Sequence, residues 1–302
     1  MSPSHEEQRV QFDFEVEFAN GGGIQGQGFR LDIDADDIAE SALADYIVRD
    51  LRLLMVARVR ILNKVIIAEP HKRSVQAVDA ERPWQARFLD LSHTIEDGMV
   101  TYKGLPAPLI CDHLSRVDSR RLYAAGTEFQ IGKITMVANT GTYIDSPYHR
   151  FADGRDIAGL ELASLTGLNA VVVNVAGAAA RAIARETFLP YEIAGRAVLI
   201  RTNWDAHWRT DQYFEGHPFL TADAAQYLKS AGAALVGIDS YNIDDTADGC
   251  RPVHTTLLGA GIPIVEHLCG LDQLPASGFR FSAVPPKVRG LGTFPVRAFA
   301  TI

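Results

Sequence analysis

The chain has 302 residues, with 29 Lys+Arg against 37 Asp+Glu for a formal net charge of −8, and 47% of its residues are hydrophobic. That is globular composition, with enough chain for one large domain or two unequal ones. The acidic balance argues against a nucleic-acid partner, whose phosphates need clustered Lys and Arg. A membrane span is not expected either, since no run of about 18 apolar residues occurs; the longest apolar-rich stretch, 170–184, is broken by Asn174 and Arg181. Three cysteines, Cys111, Cys250 and Cys269, are scattered without a CxxC pair. Neither a disulfide framework nor a thiolate zinc site is indicated, and with a polar, acidic N-terminus the expected location is cytoplasmic.

Taken in chain order, Phe12-Asp-Phe-Glu-Val-Glu-Phe18 alternates apolar and acidic residues, the signature of a half-buried strand. Asn20-Gly-Gly-Gly23 supplies a turn, and Phe29, Leu31 and Ile33 resume the alternation. Gly21, Gly23 and Gly26 formally match the GxGxxG dinucleotide fingerprint, but that motif must open a helix, and here a second alternating segment follows. A hairpin turn is the expectation. Asp34 to Asp37 is a candidate cap for a helix carrying Leu43, Tyr46, Ile47, Leu51 and Leu54 at helical spacing, and the Val- and Ile-rich stretch 56–67 reads as another strand. Residues 1–70 are therefore expected to form a small α+β accessory domain of ββαβ order, and 71–87 a linker. The Phe12–Phe18 face is expected to offer an edge for homo-oligomer formation.

From residue 88 to 302 the pattern is α/β. Apolar β-branched runs (171–175, 198–200, 235–238, 262–265) alternate with Ala- and Leu-rich stretches. One of these is a helix from Thr221 as N-cap to a stop at Gly232. The densest polar cluster is Asn139-Thr-Gly-Thr142-Tyr143-Ile-Asp145-Ser-Pro-Tyr-His149, read as leaving a strand into an irregular loop, where α/β folds place ligands. Far downstream, Glu266 ends the apolar run 262–265, with His254 twelve residues before it. Asp239 ends the run 235–238 in the same way. Carboxylates at such places serve as ligands or catalysts, because an unpartnered buried charge is costly. Asp145, His149, His254 and Glu266 together can bind a divalent cation and provide a base.

These residues give the region 88–302 a resemblance to the cyclase-like metal-dependent hydrolases, the family that includes kynurenine formamidase and isatin hydrolase. The similarity runs from Asp90-Leu-Ser-His93 through the Asn139–His149 cluster and Gly237-Ile-Asp239 to His254, Glu266 and Gly292-Thr-Phe-Pro-Val-Arg297. The family hallmark is HxGTHxDxPxH, and here Asn139 and Tyr143 stand where it has its first two histidines. The resemblance implies a cyclase-like β/β/α hydrolase fold and hydrolysis of a C–N amide bond, cyclic or aryl-linked, in a small-molecule substrate. It also implies Asp145, His254 and Glu266 as metal ligands and His149 as acid/base. The two replacements argue against a binuclear centre, leaving at most one divalent ion, Mn²⁺ or Zn²⁺, or none.

Tyr143 is the candidate oxyanion donor, and Asn139, Thr142 and Asp239 are candidates for substrate contact. Two alternatives stand beside hydrolysis. One is a metal-independent lyase or cyclase using His149 and Tyr143, and the other is a non-catalytic binding or assembly protein. Lesser candidates are a nucleophilic Cys250, His267 as a substitute ligand, Arg116, Arg120 and Arg121 as a carboxylate clamp, and an aromatic pocket wall from Trp204, Trp208, Tyr213 and Phe214.

Overall fold

A computed structural model of the protein describes residues 8–33, 37–51, 53–68 and 87–302. The chain divides into two compact units, Met1–Pro83 and Trp84–Ile302. Residues 71–86 of the expected linker lie outside the described residues, as do Asp34 to Asp36 of the expected helix cap.

In the first unit, β1 (Gln8–Phe18), β2 (Gly23–Ile33), α1 (Glu40–Asp50) and β3 (Val56–Ala68) follow one another. The sheet order is β2-β1-β3, with both pairings antiparallel. Gly21 and Gly22 take positive φ in the turn into β2, so the formal dinucleotide fingerprint is a hairpin turn. Val10, Phe12, Phe14 and Val16 are buried against Leu43 and Ile47 of α1. Two expectations change here. The helix starts later than Asp37, with Ala39 at its N-cap and no side-chain cap. And β1 is the central strand with its apolar face covered, so it offers no free edge for a second copy.

In the second unit come β4 (Phe88–Asp90), β5 (Leu109–Leu114), the short α2 (Arg116–Ser119), β6 (Ile131–Thr135), β7 (Tyr143–Asp145) and β8 (Leu168–Asn174). They are followed by β9 (Ala182–Ile183), β10 (Ala197–Arg201), β11 (Phe219–Leu220), α3 (Ala222–Ser230), β12 (Leu235–Ile238), α4 (Pro252–Gly259) and β13 (Ile264–Glu266). The last three are β14 (Ser277–Ser282), β15 (Thr293–Pro295) and β16 (Phe299–Thr301). A nine-stranded sheet in the order β15-β7-β13-β12-β10-β8-β14-β16-β4 organises the unit, while β5 pairs with β6 and β11 with β9. Its centre, β8-β10-β12-β13, is parallel, and its flanks are antiparallel.

Strand parity splits the interior in two. Val171, Val173, Val198, Ile200, Val236, Ile238 and Ile264 face α3 and α4, while the residues between them face the opposite layer. Thr221 caps α3 by accepting from the Ala224 N–H, and Gly232 takes positive φ just beyond its end, as the sequence indicates. No helix among the described residues is long and apolar enough to cross a membrane.

Candidate active site

The middle of the polar cluster expected in a loop, Tyr143–Asp145, forms β7 inside the sheet, while Asn139–Thr142 precede it as loop and Pro147–His149 follow on a 3₁₀ turn. Ile144 packs into the apolar layer away from α4, so the neighbouring Tyr143 and Asp145 point toward α4. On the adjacent strand, Glu266 has the same parity as Ile264 and points the same way. The β7–β13 register sets Tyr143 opposite Glu266 and Asp145 opposite Ile264. This pairing makes neighbours of side chains more than a hundred residues apart. The Tyr143 hydroxyl donates to Glu266 Oε2 at 2.7 Å, and the Ile243 N–H donates to Glu266 Oε1 at 2.7 Å.

α4 brings in the third element. Asp244 accepts from the N–H groups of Val253 and His254 in its first turn, at 2.8 and 3.0 Å, and from His254 Nδ1 at 2.6 Å. Asp244 thus caps the helix and fixes the imidazole, with Nδ1 as the protonated nitrogen and Nε2 turned to the sheet. His254 Nε2 stands 3.6 Å from Asp145 Oδ2 and 3.8 Å from Glu266 Oε1. Both are too long for hydrogen bonds, and Asp145 Oδ2 is buried with no hydrogen-bond partner.

His149 follows β7 on a short 3₁₀ turn, and its side chain is 36% exposed. Thr293 on β15 donates its only hydroxyl proton to Asp145 Oδ1 and lies 2.9 Å from His149 Nδ1. The threonine oxygen can then only accept from His149, so Nδ1 carries the ring proton and Nε2 is left as a base. Gly292, beside it, has no room for a side chain: a Cβ there would sit 2.4 Å from the His149 Cα. Asn139 and Tyr143 line the same cavity of about 290 Å³, with Tyr102 and Leu105 forming part of its wall.

Electrostatics separate the buried acids. Burial pushes Asp145 up, but the nearby His149 and His254 charges and the Thr293 hydrogen bond outweigh it and hold the carboxyl below its usual range. Burial prevails at Glu266, which is raised despite the His254 charge. At His254 burial acts downward, yet Asp145, Asp244 and Glu266 reverse it and raise the imidazole to about 10. Tyr143 is raised well above the phenol range by burial and then by the charges of Glu266 and Asp145.

These residues fit a divalent ion. Two donors on one tetrahedral ion at about 2.1 Å lie about 3.4 Å apart, close to the 3.6 Å from His254 Nε2 to Asp145 Oδ2; Glu266 Oε1 lies 3.8 Å from His254 Nε2, but both Glu266 oxygens already accept, from Ile243 and Tyr143. The unpartnered buried oxygen of Asp145 is what a cation would satisfy. Among the described residues, Asp145, His149 and His254 form the set whose ligand atoms all lie within 4.8 Å of one another, and Glu266 is not part of it. His149 is the member that is partly exposed and tied to Thr293, which suits a proton carrier.

Some expected residues lie elsewhere. Thr142 has the opposite parity to Tyr143; its hydroxyl donates to the His267 carbonyl and accepts from the His93 N–H. Asp239 is out of phase with Ile238 in the same way, and its two oxygens accept from Thr202 and Asn203 at the end of β10. Neither lines the cavity, so neither is positioned for substrate contact. Tyr143 does line it, but its proton goes to Glu266 rather than into the cavity. His267 is buried, with Nδ1 against the Tyr213 hydroxyl at 2.7 Å, and takes no part in the donor set. Trp208 stacks on His93 at 3.9 Å and Tyr213 packs against Tyr241, so the aromatic stretch is packed behind the site. Arg120 pairs with Glu128 rather than facing the cavity, and Cys250 is exposed. Sequence reasoning missed Asp244 and Thr293, for no local spacing links them to His254 or His149. It also missed Tyr102, Arg150 and Arg251 as cavity residues.

A mixed sheet whose strand ends gather two carboxylates and two imidazoles at a small cavity defines an α/β protein with a cation-competent acid–base centre. Comparison with known proteins narrows this class. The family described as "Putative cyclase" matches residues 89–245, and the chain belongs to it. Kynurenine formamidase of Bacillus cereus is 30% identical over 169 residues, covering 56% of this chain and 78% of that protein. Kynurenine formamidase of Erythrobacter litoralis is 28% identical over 208 residues, covering 68% and 88%. Among solved structures, isatin hydrolase A from Labrenzia aggregata shares the fold, with TM-score 0.61 at 24% identity over 72% of this chain and 94% of that one. A structure titled as a potential metal-dependent hydrolase with cyclase activity superposes with TM-score 0.59 at 26% identity, covering 71% and 96%.

Proposed function

We propose that the protein hydrolyses a C–N amide bond, cyclic or aryl-linked, in a small molecule, with His149 as acid/base beside one divalent ion held by Asp145, His254 and Glu266. The observation that carries this is the buried, unpartnered Asp145 Oδ2 facing the Nε2 of a histidine whose other nitrogen is locked by Asp244. The family's kynurenine formamidase and isatin hydrolase members support the reaction class. One imidazole among carboxylates is an oxygen-rich set that suits Mn²⁺ better than Zn²⁺. When bound, such an ion polarises the amide carbonyl and lowers the pKa of water.

The chain's own groups do the rest. His149 Nε2 takes a proton from the attacking water and returns it to the departing nitrogen. Thr293 holds its tautomer, and Gly292 lets its backbone sit close. Asn139 replaces a hallmark histidine and approaches the Tyr143 hydroxyl, which in turn holds Glu266. The two replacements thereby exchange nitrogen ligands for a hydrogen-bonded brace, which supports a mononuclear rather than binuclear centre. Asn139 also stands where it can touch substrate.

The ββαβ unit is read as an accessory domain, and the free thiols Cys111, Cys250 and Cys269 suit a reducing cytoplasm. A homo-oligomer finds support in the β5–β6 ribbon, where Ile110 and Ile134 face each other and both are exposed. Metal content by elemental mass spectrometry, with an amide and lactam panel, tests the main reading. About one equivalent of Mn or Zn in the wild type, none in Asp145→Ala, and chelator-sensitive amide cleavage are expected. Cleavage that survives complete metal removal would overturn the metal assignment, and absence of any amide cleavage by the loaded protein would overturn the reaction class.

A further inference from the structure

The cavity wall carries positive charge that the chemistry above does not use. Arg150 and Arg251 both line it. Among the described residues elsewhere in this unit, six arginines, Arg120, Arg155, Arg181, Arg196, Arg209 and Arg297, lie in ion pairs with carboxylates, and others such as Arg116, Arg121 and Arg185 do not. The two cavity arginines do not either. Arg251 Nη1 donates to the Asp245 carbonyl at 3.0 Å, and Arg150 Nε donates to the Thr255 hydroxyl at 3.1 Å. Both partners are neutral, so each guanidinium is oriented without being neutralised.

Their attachment ties them to the reacting centre. Arg150 directly follows His149, and its partner Thr255 directly follows His254. Arg251 is the N-cap of α4 at φ +49°, in the left-handed region. Gly or Asn suits that backbone better. An arginine there is a poor choice for the turn, and what it adds is a charged side chain reaching the cavity.

The rest of the wall defines what else a ligand meets. Tyr102 lines the cavity and stacks on Tyr241 at 4.6 Å and 28°, a braced aromatic surface. Burial raises both phenols, and the charge of Arg251 works against that rise at each, so the guanidinium lies close to this surface. The acids are fully buried, Asp145 at 0% and Glu266 at 1% exposure, and in the hydrolase reading they are taken by the divalent ion, so the exposed charge facing a ligand is that of the arginines. A cavity of about 290 Å³ holds little more than one substituted ring.

We propose that Arg251, assisted by Arg150, is the specificity determinant of this site and holds a carboxylate borne by a single-ring amide substrate, making the protein selective for anionic amides. The guanidinium fork matches a carboxylate bidentately, which a lysine does not. The inference rests on the hydrolase reading for the reaction and adds the charge of the substrate.

The test is calorimetric titration of the full chain with 3-acetamidobenzoate and its neutral counterpart 3-acetamidobenzamide. The wild type should bind the carboxylate at least tenfold more tightly. Arg251→Met should lose at least tenfold on the carboxylate and little on the carboxamide, with Arg251→Lys between them and Arg150→Met showing a smaller loss. Equal binding of the two probes, or no binding of the anion, overturns the proposal from the wild type alone, even should Arg251→Met fail to fold. An anion that binds folded Arg251→Met unchanged also overturns it, because it is then held elsewhere, as on a metal at Asp145 and His254. Cleavage of neutral formanilide, scored separately, keeps the two readings apart. Cleavage without anion preference overturns this inference alone; anion binding without any amide cleavage overturns the reaction class alone.

Discussion

The two units bury very different side chains. The first closes Val10, Phe12, Phe14 and Val16 over Leu43 and Ile47, and the fully buried groups in its core are apolar. The second buries Asp145, Asp239, Asp244, His254, Glu266 and His267 beside its own apolar layers. Burial of apolar surface is favourable wherever it occurs. A buried ionisable group costs several kcal/mol unless its partners compensate. At His254 the compensation is visible in Asp244, the helix N–H groups and the facing carboxylates. At Asp145 it comes from Thr293 and the two nearby imidazoles, while Oδ2 itself, like His93 Nε2, Arg201 Nε and His267 Nε2 of the same unit, is buried without a hydrogen-bond partner. That oxygen faces His254 Nε2 at 3.6 Å, and the proposed cation site rests on this pairing.

The largest test of this contrast is His149→Asn, which removes the proposed proton carrier and keeps the proposed ligands Asp145, His254 and Glu266. Turnover of any cleaved amide should fall by about 10²–10⁴-fold, with metal content unchanged in the same sample. A variant that retains most of its kcat would remove His149 from the chemistry. On the apolar side, Phe12→Ala should destabilise the protein by about 3–5 kcal/mol, read by equilibrium denaturation. A loss under about 1 kcal/mol would mean that the first unit is not held by this core.

A smaller effect follows from Tyr143→Phe, which keeps the ring and frees Glu266 from its hydroxyl donor. Metal affinity should drop about tenfold to a hundredfold on the proposed assignment, since the group that orients Glu266 is lost and Glu266 itself is kept. Loss of protein instead of metal would show that the hydroxyl serves the fold.

The pH dependence sharpens the comparison further. His254 is raised from 6.5 to about 10, so without metal its contribution to stability is complete below pH 6.5 and is lost as pH rises through about 10. A metal ion must displace that proton, so apparent affinity should rise with pH across the same window, by up to about tenfold per unit. His267 and His93 behave in the opposite sense: burial lowers them to about 3 and about 4. The stability of their neutral forms is present above pH 6.5 and is lost as pH falls toward those values. Thermal melts of metal-free protein should therefore decline on both sides of about pH 6.5. A melting temperature flat from pH 7 to 10, with metal affinity independent of pH, would contradict the assignment of His254.

Local chemistry made the elements legible. The alternation from Phe12 to Phe18, the Gly turn after it, Thr221 and Gly232 around α3, and the β-branched runs of the parallel strands each depend on near neighbours, so the sequence alone carries them. The same holds for the list of reactive groups: Asp145, His149, His254 and Glu266 were recognisable from residue type, position at strand ends and a family pattern. Where expectation failed, the deciding partner was distant or the strand parity was hidden. Thr142 and Asp239 looked as reactive as their neighbours, and one step of alternation turned each to the other face. The helix α1 begins at Glu40 with no side-chain cap at Ala39, and Leu43 and Ile47 are buried against β1.

By itself, then, the sequence determined the α/β character of the larger unit, its family and the residue types available for chemistry, because periodicity and motif spacing are properties of the chain. Only the tertiary structure decided that Tyr143 braces Glu266 across two strands, that Asp244 locks His254, that Thr293 sets the His149 tautomer, and that two unneutralised arginines share the cavity. Those relations depend on angles and distances between segments up to 148 residues apart, and contact order of that kind is created by sheet register and helix packing.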